Sequence, residues 1–198
     1  MKVLKSAALA VGLLFMSCLP VKAHASVDVA GVRFDDRSVV GGQSLVLNGA
    51  GLRVKMIIKV YAVALYLAGK DSNVRSVLTQ PGAKCVRIVM LRNVSGADLA
   101  ENLIKGMIKN LTPTEFSALQ SRLDELQTTL HAGGDAQRGE VIELTYLPGA
   151  GTRILADGKR LGRDIPGDDF YQGLLKIWLG EQPSDSDLKA ELLGTSRR

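Results

Sequence analysis

Few residues in this chain have side chains suited to acid–base, nucleophilic or metal chemistry near neutral pH, and each can be held against the chemistry it would need. Once residues 1–25 are set aside for reasons given below, one histidine and one cysteine remain, His131 and Cys85. A Ser-His-Asp triad would have to use His131, which precedes Gly133-Gly134-Asp135. Zinc sites built on several His or Cys ligands lack the ligands. Cys85 opens the Val- and Ile-rich run to Leu91 and reads as a small buried hydrophobe, and a lone cysteine excludes an internal disulfide. Asp35-Asp36 and Asp168-Asp169 are adjacent in sequence, so on a strand they would point apart; a surface turn and a helix start suit them better than a shared-proton dyad. Gly49-Ala50-Gly51 and Gly149-Ala150-Gly151 start like a dinucleotide fingerprint, but Val54 and Ile154 stand where its third glycine belongs. Neither lies at a strand-to-helix turn, which argues against phosphate cradling. Asn93-Val94-Ser95 and Asn110-Leu111-Thr112 form glycosylation triplets, the second disfavoured by Pro113. No grouping calls for a metal or a cofactor.

The elements that must position any site follow from periodicity. Val27–Phe34 alternates loosely as a first strand, Gly41-Gly42 marks a turn, and Leu45-Val46-Leu47 begins another strand. From Arg53 onward Val54, Met56, Ile58, Val60, Ala62 and Ala64 are apolar at every second position, which predicts one long strand with a fully apolar face. Cys85–Leu91 is a further strand. Ser95 is placed to cap a helix whose stripe is Leu99, Leu103, Met107 and Leu111. Thr112-Pro113-Thr114-Glu115 carries a capping box with Pro at the first helical position. That second helix presents Phe116, Leu119, Leu123, Leu126 and Leu130, and Gly133-Gly134 ends it. Strands at Val141–Leu147, Thr152–Ala156 and Lys159–Leu161 follow, the last two joined by the tight turn Asp157-Gly158. Helices at Asp168–Leu179 and Asp185–Leu193 close the chain, each before a glycine. Both helical stripes read as core packing. The sum is α+β, a large antiparallel sheet with helices on one face.

Residues 1–25 have the order of a cleavable secretory signal. Lys2 and Lys5 come first, Ala7–Leu19 is apolar, Pro20 breaks the run, and Ala23-His24-Ala25 offers small residues to a peptidase. The apolar run is shorter than the roughly 20 residues that span a bilayer. Cys18 follows Phe15-Met16-Ser17, a poor lipoprotein box. The expected product is a periplasmic or secreted protein of residues 26–198, one domain, with no stable membrane insertion after cleavage. Lys2, Lys5 and Lys22 leave with the signal, so 22 of the 25 basic residues remain against all 20 acidic ones, a net charge of +2. Nucleic-acid binding loses its electrostatic basis. Nothing in the sequence sets the oligomeric state.

Asn48-Gly49-Ala50-Gly51-Leu52-Arg53, followed by Lys59-Val60-Tyr61-Ala62-Val63-Ala64-Leu65-Tyr66-Leu67, resembles the chalcone isomerase family, whose plant enzymes carry a similar Gly-Ala-Gly-x-Arg turn. Leu144-Thr145-Tyr146-Leu147-Pro148-Gly149, Leu175-Lys176-Ile177-Trp178-Leu179-Gly180, Pro183 and Leu188–Gly194 are similar to its exported bacterial branch. The resemblance implies an open-faced sandwich over residues 27–194. In the ring-closing plant enzymes, which are intramolecular lyases, an arginine meets the phenolate while a threonine and a tyrosine order a water at the ketone. Arg53 matches that arginine, Tyr61 stands at the threonine, and Leu99 stands where the tyrosine belongs. Leu99 cannot donate a hydrogen bond to a developing enolate, a loss of a few kcal/mol of barrier. An isomerase of altered substrate would need another donor, with Tyr146 and Tyr171 as candidates.

Fatty-acid-binding members of the family are similar to this chain at that altered position. They place an arginine and a tyrosine at the head of an apolar cleft. The resemblance therefore implies an apolar carboxylate, such as a fatty acid, held by Arg53 and Tyr61, with Ile57, Val63 and Leu65 lining a tail channel opposite Leu99 and Leu103. The forked guanidinium suits a carboxylate and a phenol adds a further donor. Two other readings stand beside it: the isomerase, and a protein-interaction module, which would show no enclosed cavity near Arg53.

Overall fold

The structure, a computed structural model, describes residues 26–196; the targeting segment expected at 1–25 lies outside them. The described chain begins with a hairpin of β1 (Ser26–Val29) and β2 (Val32–Asp35), turning at Ala30-Gly31. Seven strands then form one antiparallel sheet in chain order: β3 (Arg37–Val40), β4 (Gln43–Lys55), β5 (Ile58–Leu67), β6 (Lys84–Met90), β7 (Val141–Leu147), β8 (Gly151–Ala156) and β9 (Lys159–Ile165). Between β5 and β6 lies α1 (Val74–Thr79), between β6 and β7 lie α2 (Gly96–Ile108) and α3 (Pro113–Gly133), and α4 (Asp168–Leu179) and α5 (Ser186–Leu192) finish the chain. The α+β architecture with its antiparallel sheet and helices is the one expected. No helix among the described residues is long and apolar enough to cross a membrane.

The helix ends follow the local chemistry. The Ser95 side chain accepts the Asp98 N–H, and Thr112 and Glu115 complete a reciprocal capping box. On the helix-bearing face Leu65, Val86, Leu144 and Ile154 stand opposite one another across four strands. They are buried with Leu103, Met107, Leu123, Leu126, Leu174 and Trp178 in the main core. The other face packs Ala62, Ala64, Tyr66 and Cys85 under Phe34 and the valines of the β1–β2 hairpin. Cys85 is the buried hydrophobe expected there: burial pushes its thiol up to about 12, leaving no thiolate at neutral pH. His131 lies exposed in the last turn of α3.

Four local expectations change. Val27–Phe34 is a hairpin instead of one strand, α1 carries no strong periodic stripe and was unforeseen, and β9 runs on to Ile165. Most consequential, the alternation from Arg53 to Leu67 is interrupted. Met56 and Ile57 form a two-residue turn between β4 and β5, with Lys55 paired to Ile58 and Met56 at φ +58°. The run has no glycine, asparagine or proline there to announce a turn. Ile57 is consequently 93% exposed at a hairpin tip, and cannot line an internal channel.

Candidate ligand-binding site

Reversal at Met56-Ile57 gives Arg53 and Tyr61 a closer relation than a shared strand face would. They are direct cross-strand partners. Immediately beyond them the pairing steps from Arg53–Tyr61 to Val54–Lys59, so Val60 is an extra residue in β5. Val60 and Tyr61 thereby both border one cavity of about 340 Å³. Arg53 and Tyr61 border it with the apolar side chains of Met90 in β6, Val94 in the following loop, Leu99 and Leu103 in α2 and Ile177 in α4, and with the polar Asn93, Ser95 and Asn102. Of the residues expected at the site, Arg53, Tyr61, Leu99 and Leu103 are therefore brought together. Val63 and Leu65 are on the same face but further along β5, sealed in the main core at 0% and 1% exposure. Neither of them borders the cavity, so the tail channel expected along that strand face is not lined by them.

Tyr61 has its oxygen engaged and its proton free. Trp178 Nε1 donates to the Tyr61 hydroxyl at 3.0 Å, and no protein acceptor takes the phenol proton among the described residues. Burial pushes the Tyr61 hydroxyl above its ordinary pKa, with the Trp178 N–H and Arg53 pulling the other way, so the group stays a neutral donor at pH 7. Arg53 Nη1 donates to the Val54 carbonyl and lies 3.5 Å from Asp185 Oδ2. Asp185 is also the N-cap of α5, accepting from the Asp187 and Leu188 N–H groups at 3.1 and 3.2 Å. The neighbouring Ser184 borders the cavity, and its Oγ is buried with no hydrogen-bond partner among the described residues. A buried unpaired hydroxyl is unusual enough to ask what else it meets. Lys55 and Arg92 add positive charge at the rim against Asp98.

Tyr146 and Tyr171 do not reach this cavity. The Tyr171 hydroxyl donates to the Leu144 carbonyl at 2.9 Å, and the Tyr146 ring packs on it 5.5 Å away with the Lys84 ammonium 5.1 Å from its own centre. Neither supplies the electrophile-stabilising donor that Leu99 lacks. Of the glycosylation triplets, Asn110 is committed inward, bonding Gly106 O, Gln182 O and Gln182 N at 3.0, 2.9 and 2.8 Å. A larger groove of about 710 Å³ lies between α1, α4 and α5, but two of its lysines are already held, Lys176 by Glu115 at 2.7 Å and Lys189 by the Gly180 carbonyl at 2.8 Å. Sequence reasoning missed Trp178, Ser184 and Asp185 as site residues. Trp178 and Asp185 fall in the helices expected at Asp168–Leu179 and Asp185–Leu193, and only their tertiary placement could reveal more.

Fold and cavity together describe an α+β protein in which Arg53 and Tyr61 border a cavity of mixed polar and apolar lining. A family model described as chalcone isomerase-like matches residues 26–194, and the chain belongs to that family. The fold is similar to that of a fatty-acid-binding protein from Arabidopsis thaliana, with a TM-score of 0.69, 18% sequence identity, and coverage of 85% of this chain and 96% of that one. At that identity the likeness shows a shared fold. A search of curated proteins found no match.

Proposed function

We propose that the protein binds a small apolar carboxylate, a medium-chain fatty acid in the first instance. The observation that carries this reading is that Arg53 and Tyr61, whose phenol proton no acceptor takes among the described residues, border one cavity with Met90, Leu99, Leu103 and Ile177 on its apolar side. Arg53 and Tyr61 are the donors a carboxylate needs. A volume of about 340 Å³ is at the small end of the range for ligand sites, roughly 300–1,000 Å³, which favours a medium chain over a long one. The fatty-acid-binding neighbour of the same fold supports the reading. Leu99 at the cavity, with no substitute donor from Tyr146 or Tyr171, weighs against ring-closing isomerase chemistry. A cavity beside Arg53 with Leu99, Leu103 and Ile177 in its wall favours ligand binding over an interaction module.

Trp178 is the chain's one tryptophan and bonds directly to Tyr61, so its emission reports on the site. Titration with dodecanoic acid should change that emission saturably, with Kd in the micromolar range, about −8 kcal/mol. No saturable response up to millimolar ligand sinks the proposal. Tyr61→Phe removes one donor and little volume, so affinity should drop by a few-fold, about 1 kcal/mol.

Binding takes place, on this reading, in the periplasm or outside the cell, after removal of residues 1–25. The order of charged, apolar and small residues in that segment supports export. Intact mass of protein recovered from the periplasmic fraction should correspond to a chain starting at Ser26. Recovery of the uncut chain in the inner membrane would count against it.

A further inference from the structure

We propose that the β4–β5 hairpin tip is a peripheral docking element for an anionic lipid bilayer, holding the cavity mouth at the level of the headgroups. Met56, Ile57 and Ile58 are consecutive and 92%, 93% and 48% exposed, forming a continuous apolar point. The other large exposed hydrophobics, Val39 and Ile108, are isolated. Met56 sits at φ +58° in a two-residue turn where glycine or asparagine is the low-energy choice. A bulky apolar residue there strains the turn, and at 92% exposure it packs on almost nothing in return. Folding alone gives no reason for it.

The charges around the tip name the partner. Lys55 and Lys59 flank the apolar residues, and neither makes a salt bridge among the described residues. From Arg37 to Lys70 the sequence contains no acidic residue. Asp98 borders the cavity, and Asp185 is engaged with Arg53 and the start of α5. Apolar side chains framed by lysines match the interface of an anionic membrane, where the chain tip enters the headgroup and upper acyl region and the ammonium groups meet phosphates. A convex point of three side chains is small for a stable protein partner, which usually needs about 800 Å² on each side. Lys55 borders the same cavity as Arg53 and Tyr61, so a docked tip would set the cavity's opening against the bilayer. Docking stands independently of the fatty-acid reading, because it is measured with no fatty acid added.

The test is co-sedimentation of the full chain with vesicles of equimolar phosphatidylglycerol and phosphatidylcholine, compared with phosphatidylcholine alone. Binding should favour the anionic vesicles and weaken as salt is raised, because exposed charges are screened. Ile57→Asp should reduce partitioning on anionic vesicles at least about tenfold, and Lys59→Gln by about three- to fivefold, with no effect of the latter on neutral vesicles. Both positions are exposed at a turn, so melting curves should match wild type. Ile57→Trp places a reporter at the tip itself: its emission should shift to shorter wavelength and be quenched by brominated lipid, with the buried Trp178 of wild type as baseline. An unquenched tip tryptophan in protein that sediments with vesicles overturns the proposal, since another segment is then binding. So do equal binding to neutral vesicles, no binding, or an Ile57→Asp effect on self-association with vesicle partitioning unchanged.

Discussion

Replacing Arg53 by alanine should weaken fatty-acid binding by about ten- to a hundredfold while leaving the fold nearly intact. The ligand carboxylate would lose a charge-assisted hydrogen bond worth roughly 1.5–3 kcal/mol. The fold loses far less, because the Arg53–Asp185 pair is long at 3.5 Å and both side chains keep about a fifth of their surface in water. Such a pair contributes about 1 kcal/mol or less. Asp185 also keeps its two backbone partners at the start of α5 when Arg53 is gone. A companion substitution should act in the opposite direction. Asp185→Asn preserves a side-chain oxygen for the helix cap but removes the carboxylate that competes for the guanidinium. A ligand carboxylate would then meet Arg53 without a like charge beside it, so affinity should rise a few-fold, about 1 kcal/mol. Calorimetric titration of both variants, beside melting curves, separates recognition from support. If Arg53→Ala lowers the melting temperature while the folded fraction binds as before, Arg53 is a structural partner of Asp185 and the site is elsewhere.

Arg53 and Tyr61 are named together by the family resemblance, and the alternation sets both on one long strand; in the fold they are neighbours across a hairpin. Beta-branched and apolar residues run through the turn at Met56-Ile57, so hydrophobic alternation had nothing to contradict it and Ile57 was placed in the channel. Helix starts at Ser95 and Thr112 were legible because their signals are local, a side-chain oxygen next to free N–H groups. The roles of Trp178, Ser184 and Asp185 depend on where α4 and α5 land on the sheet. The docking of α5 rests on close approach at Gly49 and Gly51, and a glycine pair in sequence does not say what approaches it.

Gly49→Ala should therefore be among the most destabilising single-methyl changes available in this chain. A Cβ at Gly49 would lie 2.1 Å from the Glu191 carbonyl oxygen and 2.7 Å from that of Leu192, both backbone atoms of the last turn of α5. No side-chain rotation can relieve that contact, so the helix must move. It is clamped where it lies: Asn48, the extra residue of a bulge in β4, donates to the Leu192 carbonyl at 2.8 Å and to the Asp71 carbonyl at 3.0 Å. The Leu52 N–H donates to Glu191 Oε2 at 3.2 Å, and Leu188 and Leu192 are 1% and 2% exposed beneath the helix. Shifting α5 strains these bonds and opens that part of the core, an overpacking penalty of about 2–4 kcal/mol. For a domain of this size the melting temperature should drop by about 5–15 °C, measured by circular dichroism. Gly69→Ala is the control. Its Cβ meets no atom within 4 Å and its φ is not in the left-handed region, so the same methyl group should shift stability by no more than about 0.5 kcal/mol. Because Asp185 rides on α5, Gly49→Ala should also disturb fatty-acid binding in molecules that remain folded. Near-identical melting of Gly49→Ala and Gly69→Ala would mean that α5 does not rest on the β4 backbone, and the position of Asp185 beside Arg53 would then have to be abandoned as well.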